Sequence, residues 1–142
     1  MPSLRFCILG NPLIQKRHRH TKQGDFVRTY DPSLNDKANW RAAVNQYAPQ
    51  EPYRNCALRM DVCWVFPRPN SHFGTGKNSG KLKPSAPKTD HHFIKPDRDN
   101  LDKIIMDAMT KLFWHDDSQV SQGFIKKRWG KQPATHVIIT IL

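Results

Sequence analysis

Between residues 58 and 66 the side chains Leu58, Met60, Val62, Trp64 and Phe66 alternate strictly with Arg59, Asp61, Cys63 and Val65, and Pro67 ends the run. A period of two marks a strand with one face in a core. A single strand cannot bury its own face, so some other layer must cover it. The best candidate is a second pattern: Leu101, Ile104, Ile105, Ala108, Met109 and Leu112 recur at i, i+3, i+4, i+7, i+8 and i+11. That spacing predicts an amphipathic helix from Asn100 to about Leu112.

The remaining elements are read around these two. Leu4, Phe6 and Ile8 alternate and stop at Gly10-Asn11-Pro12, an opening strand. Ser33 is a candidate N-cap for a helix reaching about Ala48, with Pro49 closing it. Asp116-Asp117-Ser118 reads as a turn, 119–129 as a strand ending at Gly130, and Thr135 to Leu142 as a final β-branched strand. The order β-α-β-loop-α-β-β implies an α+β fold, a small mixed and largely antiparallel sheet with two helices packed on it. At 142 residues the chain has the size of one domain, taken as 1–142.

Two stretches carry no hydrophobic period. Gln15 to Lys22 reads as a basic loop. Residues 67–90 hold Pro, Gly, Ser, Asn and Lys with little apolar content, and they read as a long basic loop bearing Lys77, Lys81, Lys83 and Lys88. A structureless loop of that length is functional or disordered, and its charge suggests an arm that touches DNA.

Charge narrows the partner. With 23 Lys plus Arg against 12 Asp plus Glu, the net charge is +11, which points to a polyanion and first to nucleic acid. No apolar run is long enough to span a membrane, and Leu4 to Leu9 lacks the length and cleavage pattern of a signal peptide. Cys7, Cys56 and Cys63 are odd in number and not spaced Cys-x-x-Cys, so neither a disulfide framework nor a zinc ribbon is indicated. The expected setting is a reducing cytoplasm.

Against this basic background, residues 97–117 hold six of the twelve acids. A protein built only to bind DNA would gain affinity by having none there. Asp97 follows Pro96, Asp99 falls at the expected helix cap, and Asp117 lies in the turn beyond the helix. A helix of that length spans about 18 Å, so Asp117 must return over the strand pairing to reach the others. If the three converge, they form a hard oxygen site suited to Mg²⁺, which activates water and stabilises the transition state of in-line phosphodiester attack. Two carboxylates about 5 Å apart repel by roughly 3 kcal/mol, and three pairs by about 10 kcal/mol, comparable to the stability of a domain. Convergence therefore needs a cation, a proton or basic partners. Spacing alone leaves the alternative equally open: Asp99 a helix cap, Asp116 and Asp117 solvated turn formers.

Lys103, four residues after Asp99, either forms an i,i+4 ion pair or orients a scissile phosphate. Asp102 and Asp107 read as solvated helix residues. His91 and His92, just before the acidic window, are candidates to touch phosphate or assist a proton transfer.

Lys95-Pro96-Asp97-Arg98-Asp99-Asn100-Leu101-Asp102-Lys103, then Asp107-Ala108-Met109, then Phe113-Trp114-His115-Asp116-Asp117-Ser118-Gln119-Val120 closely resemble the signature of RusA-type Holliday-junction resolvases. The resemblance is strong over 95–120 and covers most of the chain at lower stringency. It implies a homodimeric endodeoxyribonuclease, dependent on Mg²⁺ with Mn²⁺ able to replace it, that nicks four-way junctions symmetrically in a bacterial or phage-infected cytoplasm. It places metal-binding carboxylates at Asp97, Asp99 and Asp117 and an essential lysine at Lys103, with Asp116 an acidic neighbour; His92 remains a further candidate from its position alone. DNA contacts are expected from Lys16, Arg17 and Arg19, from Lys77, Lys81 and Lys83, and from Lys126, Lys127 and Arg128. The 67–90 segment departs from shorter members of the family, which suggests relaxed selectivity toward flaps or forks. The competing readings are a less selective branched-DNA nuclease and a catalytically silent junction-binding protein.

Overall fold

The computed structural model describes residues 2–16, 19–24, 26–30 and 34–142, with backbone alone considered across most of 19–30. Strand β1 (Ser3–Leu9) pairs antiparallel with β7 (Ala134–Ile141), and β7 pairs antiparallel with β4 (Leu58–Phe66). On its other side β4 pairs in parallel with β5 (Val120–Gln122) and then with β6 (Ile125–Trp129). The sheet thus has five strands, mixed in direction and mostly antiparallel. A separate hairpin joins β2 (Arg19–Gln23) to β3 (Phe26–Tyr30). The expected α+β architecture holds, and the expected strand on 58–66 is the sheet's central strand.

Helix α1 (Leu34–Val44) continues into a 3-10 turn at Asn45–Tyr47, and α2 (Arg98–Met109) packs beside it. The core joins the alternating face of β4 (Leu58, Met60, Val62, Trp64, Phe66) to Leu101, Ile104, Ile105, Ala108 and Met109 of α2. Each such large side chain contributes about 1.5–3 kcal/mol on burial. Arg41 of α1 donates from Nη1 to the carbonyl oxygens of Ala108 and Thr110 at 3.0 and 2.8 Å, satisfying carbonyls where α2 ends.

Several expectations are corrected. The region read as a basic loop runs into β2, and β3 follows it, so the order is β-β-β-α-β-α-β-β-β. The candidate cap Ser33 lies outside the described residues. The helix expected from Asn100 begins at Arg98, so Asp97 rather than Asp99 holds the N-cap position. It ends at Met109, because Thr110 is extended and Lys111 turns back at φ 76°.

The single strand expected over 119–129 is broken at 123–124. A Cβ on Gly123 would lie 1.8 Å from the Met60 carbonyl oxygen, so only glycine lets the chain cross β4 so closely. Asp61 accepts the Phe124 amide at 2.8 Å and is gripped by Arg59, which pins the crossing.

The 67–90 segment has no long helix or strand, yet it is folded. Phe73 pairs with Leu82, the Gly74 amide donates to the Lys81 carbonyl at 3.0 Å, and the Lys83 amide donates to that of His72 at 2.8 Å. Arg68 ties its far end down by donating to the carbonyls of Pro87 (2.7 Å) and Thr89 (3.0 Å). The three cysteines are free, and among the described residues no helix is long and apolar enough to cross a membrane.

Candidate functional site

The acidic window divides between the two ends of α2. At the N-terminal end, Asp97 is exposed, and its carboxylate makes no cap hydrogen bond. Instead it accepts from Lys95 Nζ at 2.8 and 2.9 Å. That bond holds the Asp97 carboxyl below the ordinary carboxylate range, with burial opposing it and the charges of Lys95 and then Lys127 assisting. Asp97 is therefore ionised at neutral pH.

Asp99, in the first turn, and Lys103, one turn further, are both exposed. Among the described residues no ion pair links them, so the i,i+4 bridge is absent and the Lys103 ammonium faces solvent beside the acidic end. Asp107 is exposed as expected, whereas Asp102 is not simply solvated. Burial raises its carboxyl above the ordinary range, with Arg98 opposing, and it faces Met60, Met106 and Ser121 across a small cleft.

Lys127 has a role that sequence spacing did not suggest. Its register opposite Trp64 puts it on the helix-covered face of the sheet, while Lys126, opposite Cys63, takes the other face. Its ammonium donates to the carbonyls of Ile94 (2.7 Å) and Pro96 (2.6 Å), fixing the segment that leads into Asp97. Burial lowers its pKa, Asp97 raises it and Lys95 lowers it. His92, in the same segment, is buried and lies against Phe66 and Trp129 at centroid distances of 4.6 and 5.2 Å. Burial pushes its imidazole below the usual histidine value, so it is a neutral packed ring at pH 7.

At the other end of α2 the chain turns through Thr110 to Trp114 into a 3-10 turn at Asp117–Gln119. Asp116 caps this turn. It accepts the Ser118 amide at 2.9 Å, while Gln119 Oε1 accepts the Asp116 amide at 2.9 Å. The Ser118 amide is also what lowers the Asp116 carboxyl. Gln119 Nε2 donates to the carbonyls of Tyr53 (3.1 Å) and Cys56 (3.2 Å), anchoring the turn below the start of β4. Asp117 is exposed on this turn.

Asp97 and Asp99 thus lie two residues apart at the start of α2, a helix of 12 residues that spans roughly 18 Å, and Asp117 lies beyond its far end. Among the described residues no three His, Cys, Asp or Glu side chains stand close enough to hold a metal ion. The conditional convergence of Asp97, Asp99 and Asp117 is not met within one protomer, because the turn after α2 stays with Tyr53 and does not return toward Pro96.

The expected DNA contacts fall in different places. Lys16 pairs with Asp36 at 3.3 Å, Arg17 lies outside the described residues, and the side chain of Arg19 on β2 does too. Lys77, Lys81 and Lys83 are exposed on the folded 67–90 segment, and Lys126 is exposed on β6.

A Bacillus subtilis (strain 168) protein named "Uncharacterized protein YqaN" is 31% identical over 146 residues, covering 98% of this chain and 96% of that protein. The family model described as "Endodeoxyribonuclease RusA" matches residues 10–140, which takes in all of α2. The chain belongs to the RusA endodeoxyribonuclease family.

Proposed function

We propose that this chain cuts four-way DNA junctions as a Mg²⁺-dependent homodimer. The observation that carries the reading is the exposed acidic N-terminus of α2, with Asp97 held ionised and Lys103 unpaired beside Asp99, in a protein of net charge +11. Membership in a family of endodeoxyribonucleases supports it.

The donor set decides how many copies the reading needs. One protomer offers two carboxylates at one end of α2 and Asp117 at the other, which is no three-ligand site. A two-fold axis that sets two α2 helices side by side and antiparallel would bring Asp97 and Asp99 of one protomer to Asp117 of the partner subunit. Mg²⁺ held there would supply an activated water and neutralise phosphate charge. The chain's own residues do the rest. Lys95 keeps Asp97 charged, Lys127 fixes the backbone that carries it, and Lys103 reaches toward the scissile phosphate. Two such sites across one axis match the symmetry of a junction and would give paired nicks.

A second reading, cleavage of flaps and forks, is favoured by the folded basic segment 67–90, which adds a DNA-facing surface beside the sheet. Purified protein should be incubated with a labelled four-way junction, a flap and a linear duplex, each with Mg²⁺ or with chelator. Symmetric nicks on the junction alone are expected. Nicks on the flap would favour the second reading, and no metal-dependent nick on any substrate would leave only a binding protein. Asp97→Asn and Asp117→Asn should abolish cutting while preserving junction binding, because each removes a negative charge that repels phosphate.

A further inference from the structure

The folded segment 67–90 encloses a space that the acidic site does not use. A cavity of about 510 Å³ lies beneath it, where β4 and β6 end, walled by Arg68, Phe73, Leu82 and Trp129 and rimmed by Lys88 and Lys131. Trp129 is 2% exposed, and the Arg68 guanidinium lies 4.8 Å from its ring. Because Arg68 also donates to the Pro87 and Thr89 carbonyls, this flat cation is locked into the wall. The Trp129 indole Nε1 is buried with no partner among the described residues.

The chemistry of wall and rim selects the ligand. Segment 67–90 carries Arg68, Lys77, Lys81, Lys83 and Lys88 against one acid, Asp90, so anions are drawn to its surface. An aromatic interior under a cationic mouth fits the two halves of a nucleotide, a π-face for the rings and phosphate for the ammonium groups. A base inside a duplex has no free face to offer. We infer that this cavity takes an unpaired nucleobase of branched DNA, the base against Phe73 and its flanking phosphates on Lys131 and on Lys88, whose ammonium also donates to the Lys83 carbonyl at 2.8 Å. Asp90, also on the lining, offers an acceptor for the exocyclic amino group of cytosine. The inference rests on the reading of DNA as substrate, and it names the feature, an unpaired base, that flaps and forks carry and a fully paired junction lacks.

The test is binding without cleavage. In chelator, fluorescence anisotropy compares a short labelled oligodeoxycytidine with the same strand carrying abasic sites, which keeps every phosphate. The intact strand should bind roughly five- to a hundredfold tighter, the range expected for a stacked base. Phe73→Ala should abolish that preference and leave binding of a blunt, fully paired junction unchanged. Leu82→Glu, at a position 38% exposed, should weaken the oligodeoxycytidine more than the junction. Equal affinity for intact and abasic strands would overturn the inference, as would a Phe73→Ala protein that loses all three DNAs in proportion. Free dCMP binding as tightly as the strand would overturn a DNA occupant. Since no metal is present, failure of the nuclease reading leaves these results standing, and their failure leaves the nuclease reading untouched.

Discussion

If the carboxylates act together only across two copies, two inactive variants should repair each other. Helix α2 has twelve residues, so its ends stand about 18 Å apart, whereas oxygens sharing one Mg²⁺ at about 2.1 Å lie within roughly 4 Å of one another. No rotamer of an aspartate closes that gap. Asp97→Asn and Asp117→Asn each keep side-chain volume and remove one charge, and each protein alone should be silent on a junction. Mixed in equal amounts and allowed to exchange, half the dimers carry one of each. In such a dimer one site receives Asp97 and Asp99 from the Asp117→Asn copy and Asp117 from the Asp97→Asn copy, while the other site lacks both. About one quarter of the wild-type sites should therefore return. Because each mixed dimer has one working site, a denaturing gel should show single nicks and few resolved junctions. Native mass spectrometry confirms exchange. A mixture that has exchanged and stays as silent as its parents would refute the shared site.

Lys126 and Lys127 should part company despite being neighbours. Lys126→Gln should flatten the salt dependence of junction binding by about one unit of log–log slope, and Lys127→Met should lower cleavage without changing that slope, as read by anisotropy across a salt series and by a cutting assay. His92 has a folded pKa below its ordinary value, so it stabilises the fold above the unfolded histidine pKa and the stability falls as pH drops below about 6.5. His92→Phe should therefore lose less melting temperature than wild type between neutral and mildly acid pH, and parallel curves would contradict the buried neutral ring. Gly123→Ala drives a methyl into the Met60 carbonyl, and a cost of at least about 3 kcal/mol is expected in urea unfolding.

What could be read from the residues depended on whether a periodic face met the core. β4 and α2 are legible because each shows one apolar face to the other. β2 is not, since Arg-His-Thr-Lys-Gln has no apolar period, although Phe-Val-Arg-Thr-Tyr in β3 is rich in strand formers and was a usable signal. The order in 67–90 comes from Arg68 bonding to main-chain carbonyls and from Gly74, where a Cβ would fall 2.6 Å from that of Asn78. Neither leaves a hydrophobic pattern. At the site, Asp99 and Lys103 were legible as neighbours through their helical spacing. The separation of Asp117 was not, because it follows from Gln119 seeking carbonyls more than sixty residues upstream. Lys127 escaped for a related reason, its partners being carbonyl groups that every residue has.

The rivets made by Arg41, Arg59, Arg68, Lys95 and Lys127 alter how the formal charge of +11 should be understood. Each of these cations already commits at least one donor inside the protomer, so a phosphate at any of them competes with an existing joint. The tally of ions displaced on DNA binding will then fall well below the number of basic residues.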